Sequence, residues 1–155
     1  IDLHCRYIRD EILAAFGLST LEIKAELREG VKYIEDYKTD LFFITMYKSE
    51  KDYSPTTMYE DYAISDTLFH WQSQSTTSDT SKTGLRYINH MKTENRILLF
   101  VREYNEENGF TSPYYFLGPA NYVKHEGSRP MSIIWKLEHP MQAHLWKETG
   151  KMAVG

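Results

Sequence analysis

The sequence predicts one α+β domain built on a curled, mostly antiparallel sheet with short flanking helices. Five or six short segments have the apolar pattern of strands, and two or three have the period of short helices. The spacings between the strands are too short for the crossovers that parallel strands need. A chain of 155 residues forms one domain and buries about 70% of the surface of its unfolded state.

Two short helices are predicted. In residues 7–16 the apolar side chains lie on one side of a 3.6-residue period, acidic residues occupy the first turns, and Gly17 stops the helix. The second helix is predicted over residues 85–91.

Apolar segments bounded by polar turns predict the strands. They cover residues 31–34, 41–47, 68–74, 96–104, 114–117 and 131–137. The second is apolar on both faces, as is typical of a buried strand. Gly118-Pro119 is expected to end the fifth. In the last strand alternate residues face one way, and these are Met131, Ile133, Trp135 and Leu137.

The strand at residues 68–74 has two faces of different chemistry. Phe69, Trp71 and Ser73 point one way, and His70, Gln72 and Gln74 the other. After it comes the Ser/Thr segment, residues 73–84, in which eight of twelve residues are Ser or Thr and none is apolar. This composition predicts a mobile surface loop.

Composition and charge limit the possible functions. The net charge is −4, but residues 1–80 carry −7 and residues 81–155 carry +3, so a basic face in the second half is possible. One cysteine, the absence of a long apolar run and the absence of a secretory signal predict a soluble, cytoplasmic protein with no membrane partner. Because the chain opens on Ile1, we expect an excised piece of a longer protein.

The sequence predicts no metal site, no cofactor and no catalytic set. Six histidines occur without ligand spacing, and no HExxH or CxxC pattern is present. Neither Gly118-Pro119 nor Gly127-Ser128 is followed by the lysine and helix of a nucleotide-binding loop.

Aromatic, acidic and amide side chains crowd around residues 53–74, a set that can stack a planar ring and read its polar edge. The residues predicted to line a base pocket are Tyr53, Tyr59, Asp61, Tyr62, His70, Trp71, Gln72 and Gln74. Contacts to the DNA backbone are predicted for Ser73, Lys82, Arg86, Lys92, Lys124 and Arg129. The same aromatics also fit a plug at one end of a barrel, with the carboxylates in solvent.

Several long motifs resemble a bacterial domain long catalogued as of unknown function. They are KSEKDYSPTTMYEDY at 48–62, LFHWQSQ at 68–74, ILLFVRE at 97–103, FLGPA at 116–120 and HEGSRPMSI at 125–133. The resemblance covers nearly the whole chain from Tyr7 to Pro140. That domain closes multidomain proteins with a superfamily II helicase motor and, often, a phospholipase D-like nuclease.

The resemblance implies a function as well as a fold. Some proteins of this architecture are type IV restriction enzymes that cut foreign DNA containing 5-methylcytosine. Their C-terminal domain reads the target and is similar to the SRA/PUA-like fold, a curled β-barrel that takes a flipped methylated base into an aromatic pocket. It implies that residues 1–155 are one such reader of double-stranded DNA, with the helicase and nuclease elsewhere in the same polypeptide, and that this part catalyses nothing itself.

Two other functions remain open at the level of sequence. The domain could couple the motor to its nuclease through protein contacts, without affinity for DNA. It could also be a nucleic-acid hydrolase in which His70 or His125 acts with Asp61 or Glu126.

Overall fold

The computed structural model describes residues 1–18, 30–46 and 61–146. The strands are β1 Arg6–Tyr7, β2 Val31–Ile34, β3 Thr39–Thr45, β4 Tyr62–Ala63, β5 Leu68–Gln72, β6 Arg96–Arg102, β7 Glu106–Glu107, β8 Phe110–Thr111, β9 Tyr114–Glu126 and β10 Ser132–Leu137. The helices are α1 Arg9–Ala15 and α2 Lys82–Ile88, and a 3-10 helix spans Glu35–Tyr37. No helix in these ranges is both long and apolar enough to cross a membrane.

Eight strands form one sheet in the order β2-β3-β6-β9-β10-β5-β4, and β1 adds to β9. The small β7–β8 hairpin stands apart from it. The sheet is open and curled, and within the described residues its edge strands β2 and β4 do not pair with each other. The α+β class with a mostly antiparallel sheet is confirmed.

One pair in the centre of the sheet contradicts the expectation that no parallel strands occur. Strands β3 and β6 run parallel, with Asp40 opposite Ile97 and Ile44 opposite Val101. The connection between them contains β4, β5 and α2, so it is long enough to return the chain to the same end of the sheet. The spacing between neighbouring segments did not reveal this crossover.

The middle of the sheet is buried on both faces. On one face Phe42, Leu99 and Trp135 belong to the larger core. On the other face Leu41 and Phe100 belong to a second core, which α1 covers with Ile12 and Leu13. The prediction that the segment beginning at residue 41 is buried on both faces is therefore confirmed for residues 41–44.

The predicted end of a strand at Gly118-Pro119 is wrong, because β9 continues through it. The register against β6 shifts between Leu99 and Phe100, so the interruption is an irregularity within a continuous strand. Gly118 has a φ of +86°, and a Cβ there would lie 2.8 Å from the side chain of Leu3. A glycine is needed at this position for both reasons.

The alternation predicted for β5 and β10 is confirmed. Phe69 and Trp71 point into the larger core, as do Met131, Ile133, Trp135 and Leu137. Since β5 and β10 pair directly, the residues that alternate with these inward ones lie together on the outer face of the sheet. The polar side of β5 therefore faces away from the larger core, and His70 and Gln72 on it are half-buried.

The Ser/Thr segment is anchored, contrary to the expected mobile surface loop. Thr77 and Ser78 are each only 5% exposed. The Thr77 carbonyl accepts from the backbone N–H of Arg129 at 2.8 Å, and Ser81 caps α2 by accepting from the Gly84 N–H at 3.1 Å. Hydrogen bonds supply the anchoring that apolar side chains do not, and the cap starts α2 at Lys82, three residues earlier than predicted.

Candidate functional site

A row of four side chains crosses four neighbouring strands on the outer face of the sheet. Tyr62 of β4 lies opposite His70 of β5, His70 lies opposite Ile134 of β10, and Ile134 lies opposite Lys124 of β9. We call these four residues the outer row. Because neighbouring strands lie about 4.8 Å apart, the register brings two rings, an aliphatic side chain and a cation into one line.

The two rings of the outer row are stacked. The centroids of Tyr62 and His70 lie 4.6 Å apart, and their planes differ by 12°. Tyr62 also packs against the edge of the larger core, which holds one side of the pair in place. A flat aromatic surface is thus fixed at the β4 end of the row.

A cavity of about 240 Å³ lies along the outer row, and we call it the row cavity. It is lined by Tyr62, His70, Lys124, His125, Glu126, Ser132 and Ile134. Pockets for drug-sized ligands measure roughly 300–1,000 Å³, so this one suits a smaller group such as a single ring. Its lining combines aromatic, aliphatic, basic, acidic and hydroxyl groups.

Next to the outer row, a second line of residues pairs in the same way. Gln72 lies opposite Ser132, and Ser132 lies opposite Glu126. The Asp61 carboxylate accepts from the backbone N–H of Gln72 at 2.8 Å, beyond the end of the two-residue β4. Asp61, predicted to line the base pocket, thus takes the place that a longer β4 would occupy, next to the row cavity rather than in its lining.

His125 belongs to a hydrogen-bonded chain at the turn between β9 and β10. Its Nδ1 lies 2.6 Å from the Tyr122 hydroxyl, and its Nε2 lies 3.4 Å from the Asp79 carboxylate. The Ser128 hydroxyl donates to the same carboxylate, and this bond is the main cause that lowers the pKa of Asp79, with the bond to His125 next. Burial raises the pKa of the Tyr122 phenol. The chain ties the turn to the Ser/Thr segment.

Of the predicted pocket residues, Tyr62 and His70 meet at the row cavity, and Gln72 lies beside it on the same face. Tyr53 and Tyr59 lie outside the described residues.

The prediction that Trp71 lines the base pocket is wrong. Trp71 is 5% exposed and lies 4.3 Å from Phe42 between ring centroids, inside the larger core. The prediction for Gln74 also fails, because its amide is engaged within the fold. It donates to the Tyr87 hydroxyl at 3.0 Å, and Thr77 donates to its oxygen at 3.2 Å.

Two of the predicted DNA-backbone contacts are structural instead. The Ser73 hydroxyl accepts from the Met131 N–H at 2.8 Å and is buried. Arg86 makes a bidentate ion pair with Asp40 at 2.8 and 2.9 Å and lies over the Tyr33 ring. Asp40 is fully buried, and burial raises the pKa of its carboxyl while Arg86 opposes the rise. A guanidinium committed in this way is not available to a phosphate.

The other four predicted backbone contacts are on the surface. Lys124 borders the row cavity, Arg129 lies on the turn beyond Glu126, and Lys82 begins α2. Lys92 lies after the end of α2. Of these four cations, Lys124 is the one that lines the row cavity.

Sequence reasoning did not include Ser132 and Ile134 in the site. Their orientation was already implied, because residues that alternate with Met131, Ile133 and Trp135 must face outward. What the sequence lacked was the pairing of β10 with β5 and β9, which brings these outward residues to His70 and Lys124.

The histidines do not form a metal site in the described ranges, where no group of three or more His, Cys, Asp or Glu side chains is placed to hold a cation. The hydrolase alternative paired His70 or His125 with Asp61 or Glu126. For His125, the carboxylate at the ring is that of Asp79.

The chain matches a known family by sequence and a solved structure by fold. The family model described as "Domain of unknown function (DUF3427)" matches residues 1–149. The fold is similar to part of SUVH6 from Arabidopsis thaliana, solved in complex with SAM, with a TM-score of 0.53 and 9% sequence identity. The likeness covers 96% of this chain and 28% of that chain, and it concerns the fold. No functionally curated protein matches the sequence.

Proposed function

Since this chain belongs to the DUF3427 family of domains of unknown function, we propose that it binds double-stranded DNA and reads a 5-methylcytosine flipped out of the helix. The domain then serves as the target reader of a longer helicase and nuclease protein of the type IV restriction kind, in defence against phage. It performs no reaction itself, because the motor and the nuclease carry the chemistry.

The observation that carries the proposal is the outer row beside a cavity for one ring. A base removed from the stack loses its neighbours, and an aromatic surface replaces them at about 1 to 3 kcal/mol per base. The stacked pair of Tyr62 and His70 provides such a surface at one end of the row. Lys124 at the other end supplies a cation for the phosphate of the flipped nucleotide.

The groups between these ends match the edges of a methylated cytosine. Ile134 offers an apolar contact for the 5-methyl group. The carboxylate of Glu126 accepts hydrogen bonds, as the exocyclic amine of cytosine requires, and the Ser132 hydroxyl either donates or accepts. Thymine carries a carbonyl in place of that amine, so Glu126 would disfavour it.

The fold supports the same proposal at a coarser level. An SRA-like sheet agrees with the reading domain that the sequence resemblance implies, and the likeness to SUVH6 concerns this sheet. The base is received on the outer face of β4, β5, β10 and β9, where Tyr62 and His70 of the predicted pocket residues provide the stacking surface.

The test is a fluorescence anisotropy titration of this chain with two duplexes of one sequence, one carrying a single 5-methylcytosine and one unmodified. We expect tighter binding of the methylated duplex. A fluorescent base analogue next to the modified position on the same strand should brighten on binding, since flipping removes one of its stacking neighbours. Tyr62→Ala should weaken binding of the methylated duplex by about 1 to 3 kcal/mol and remove most of the preference.

The matched control is Tyr37→Ala, because Tyr37 is 55% exposed and lies on the 3-10 helix, away from the row cavity. It should bind like the unaltered protein. Thermal unfolding of both variants shows whether each is folded. Equal, weak binding of the two duplexes by the unaltered protein would contradict the proposal.

A further inference from the structure

A second cavity, of about 300 Å³, lies at the opposite end of β9. It is lined by Ile8, Arg9, Asp10, Arg102, Thr111 and Tyr114. We call it the arginine cavity. Arg102 is the last residue of β6, Tyr114 is the first of β9, and Arg9 begins α1, so three elements of the fold meet there.

Arg102 is held firmly but is not neutralised. Its Nε donates to the Thr45 hydroxyl at 2.9 Å, one terminal nitrogen donates to the Ser112 carbonyl at 2.9 Å, and its guanidinium lies 4.2 Å from the centroid of the Tyr114 ring. All of these partners are uncharged. In the described parts of the chain, no carboxylate lies within ion-pair distance of it.

A second cation, Arg9, adds to the uncompensated positive charge at the arginine cavity. Burial is the main cause that lowers the pKa of Arg102, Tyr114 opposes this effect, and the like charge of Arg9 lowers the pKa further. Within the same described ranges, the guanidinium of Arg9 has no hydrogen-bonded carboxylate either. Two like charges that share a cavity repel each other unless an anion lies between them.

We infer that the arginine cavity binds an oxyanion of the phosphate class, coordinated by Arg102 and Arg9. A guanidinium presents several N–H donors in a plane, which matches the oxygens of a phosphate. Arg102 is already oriented by Thr45, Ser112 and Tyr114, so little side-chain entropy is lost on binding. Asp10 at the same cavity disfavours an anion and limits the affinity.

Two sources of such an oxyanion fit the cavity: a DNA backbone phosphate or a free phosphate compound. The DNA source rests on the proposed function. Tyr114 at the arginine cavity and Lys124 at the row cavity are ten residues apart on β9, roughly 33 Å along a strand that rises about 3.3 Å per residue. A DNA strand advances about 3.4 Å per nucleotide, so only a duplex extending roughly ten base pairs from the flipped base would reach both.

The first experiment titrates inorganic phosphate into the whole chain at constant ionic strength and follows the Nε–H resonances of the arginines by NMR. We expect saturable shifts at Arg102. Arg9→Ala should weaken the affinity for phosphate roughly tenfold, the loss expected for one charge-assisted hydrogen bond. Asp10→Asn should tighten binding, because it removes a like charge. The matched control is Arg96→Ala, at the opposite, exposed end of β6.

The second experiment separates the sources with methylated duplexes that extend about 4 or about 15 base pairs on each side of the modified base. A backbone phosphate is the ligand if Arg9→Ala weakens only the longer complex. A free phosphate compound is the ligand if phosphate binds and neither complex changes. The inference is overturned if phosphate causes no saturable shift, or if Arg9→Ala and Arg96→Ala bind it equally. Failure of the proposed function looks different: phosphate still binds, but the methylated and unmodified duplexes do not differ.

Discussion

The ring of His90 is buried and its tautomer is determined by its two neighbours. The backbone N–H of Tyr122 donates to Nε2 at 3.0 Å, so Nδ1 carries the proton and donates to the Asn95 carbonyl at 3.0 Å. Burial is the main cause that lowers the pKa of His90 below 6.5, although Asp40 and Glu138 oppose it. A proton on Nε2 would break the bond to β9.

His90 therefore predicts a loss of stability in mild acid. Since the pKa of this ring is lower in the folded than in the unfolded state, the unfolded state binds the proton first, and stability falls as the pH drops below 6.5 toward the folded pKa. Urea unfolding from about pH 8 to about pH 5 should show this fall in the unaltered protein. His90→Gln should be less stable at every pH but show a flatter profile; identical profiles would contradict the assignment.

The ion pair between Arg86 and Asp40 gives a second prediction for a single residue. Arg86→Ala leaves the carboxylate of Asp40 buried without its partner, so the free energy of unfolding should drop by about 3 to 5 kcal/mol. Lys82→Ala, an exposed change on the same helix, should alter it by less than about 0.5 kcal/mol. Urea unfolding measures both; a small effect at Arg86 would return this residue to the set of possible DNA contacts.

The close packing of helix α2 against the Ser/Thr segment requires a glycine at position 84. A Cβ on Gly84 would collide with the Ser78 carbonyl oxygen and lie 3.0 Å from the sulfur of Met131. Gly84→Ala would normally favour a helix, but here the collision with backbone should cost about 1 to 3 kcal/mol. Thermal unfolding of this variant beside Leu85→Ala, a change at an exposed position of α2, tests it. Equal stability of the two would show that the Ser/Thr segment can shift away.

For strands with one solvent-facing side, the inward residues were predicted correctly from the sequence. For strands buried on both faces, the pairing partner and direction were not. Alternation identified the inward residues of β10 and β5 because a strand between core and solvent repeats every two residues. In β3 and β6 both faces are apolar, so the pattern carries no information about partner or direction. The parallel pairing of these two strands was therefore missed.

The same limit explains the errors at the site. The two faces of β5 were distinguished, but both aromatic and polar side chains could serve a pocket, and only the position of the core decides between them. Trp71 proved to be the inward residue and His70 the outward one. Arg86 looked like a surface cation because its partner, Asp40, is far away in sequence and lies inside an otherwise apolar strand.

At the scale of the whole molecule, any attraction to DNA must come from local positive charge rather than from the net charge. A net charge of −4 gives no general attraction to DNA, so the proposed DNA binding would depend on cations near the site. Lys124→Ala should reduce the slope of log affinity against log salt concentration by about 1, the loss of one phosphate contact. Lys38→Ala, an exposed lysine beside the 3-10 helix, should leave the slope unchanged. Anisotropy titrations at several salt concentrations measure both, and equal slopes would remove Lys124 from the interface.

The parallel pair in the centre of the sheet also has a kinetic consequence. It joins Asp40 to Ile97, so the chain must close a long loop before the two strands that complete both cores can meet. Contacts between residues this distant in sequence slow folding, because the entropy of closure is lost before the contacts compensate for it. Two of the four residues of the outer row, Tyr62 and His70, lie inside this loop, and Ile134 and Lys124 follow β6 in the chain. We therefore expect the outer row and the cores to form in one cooperative step, so that the domain cannot be divided into a folded scaffold and a separate module that carries the outer row.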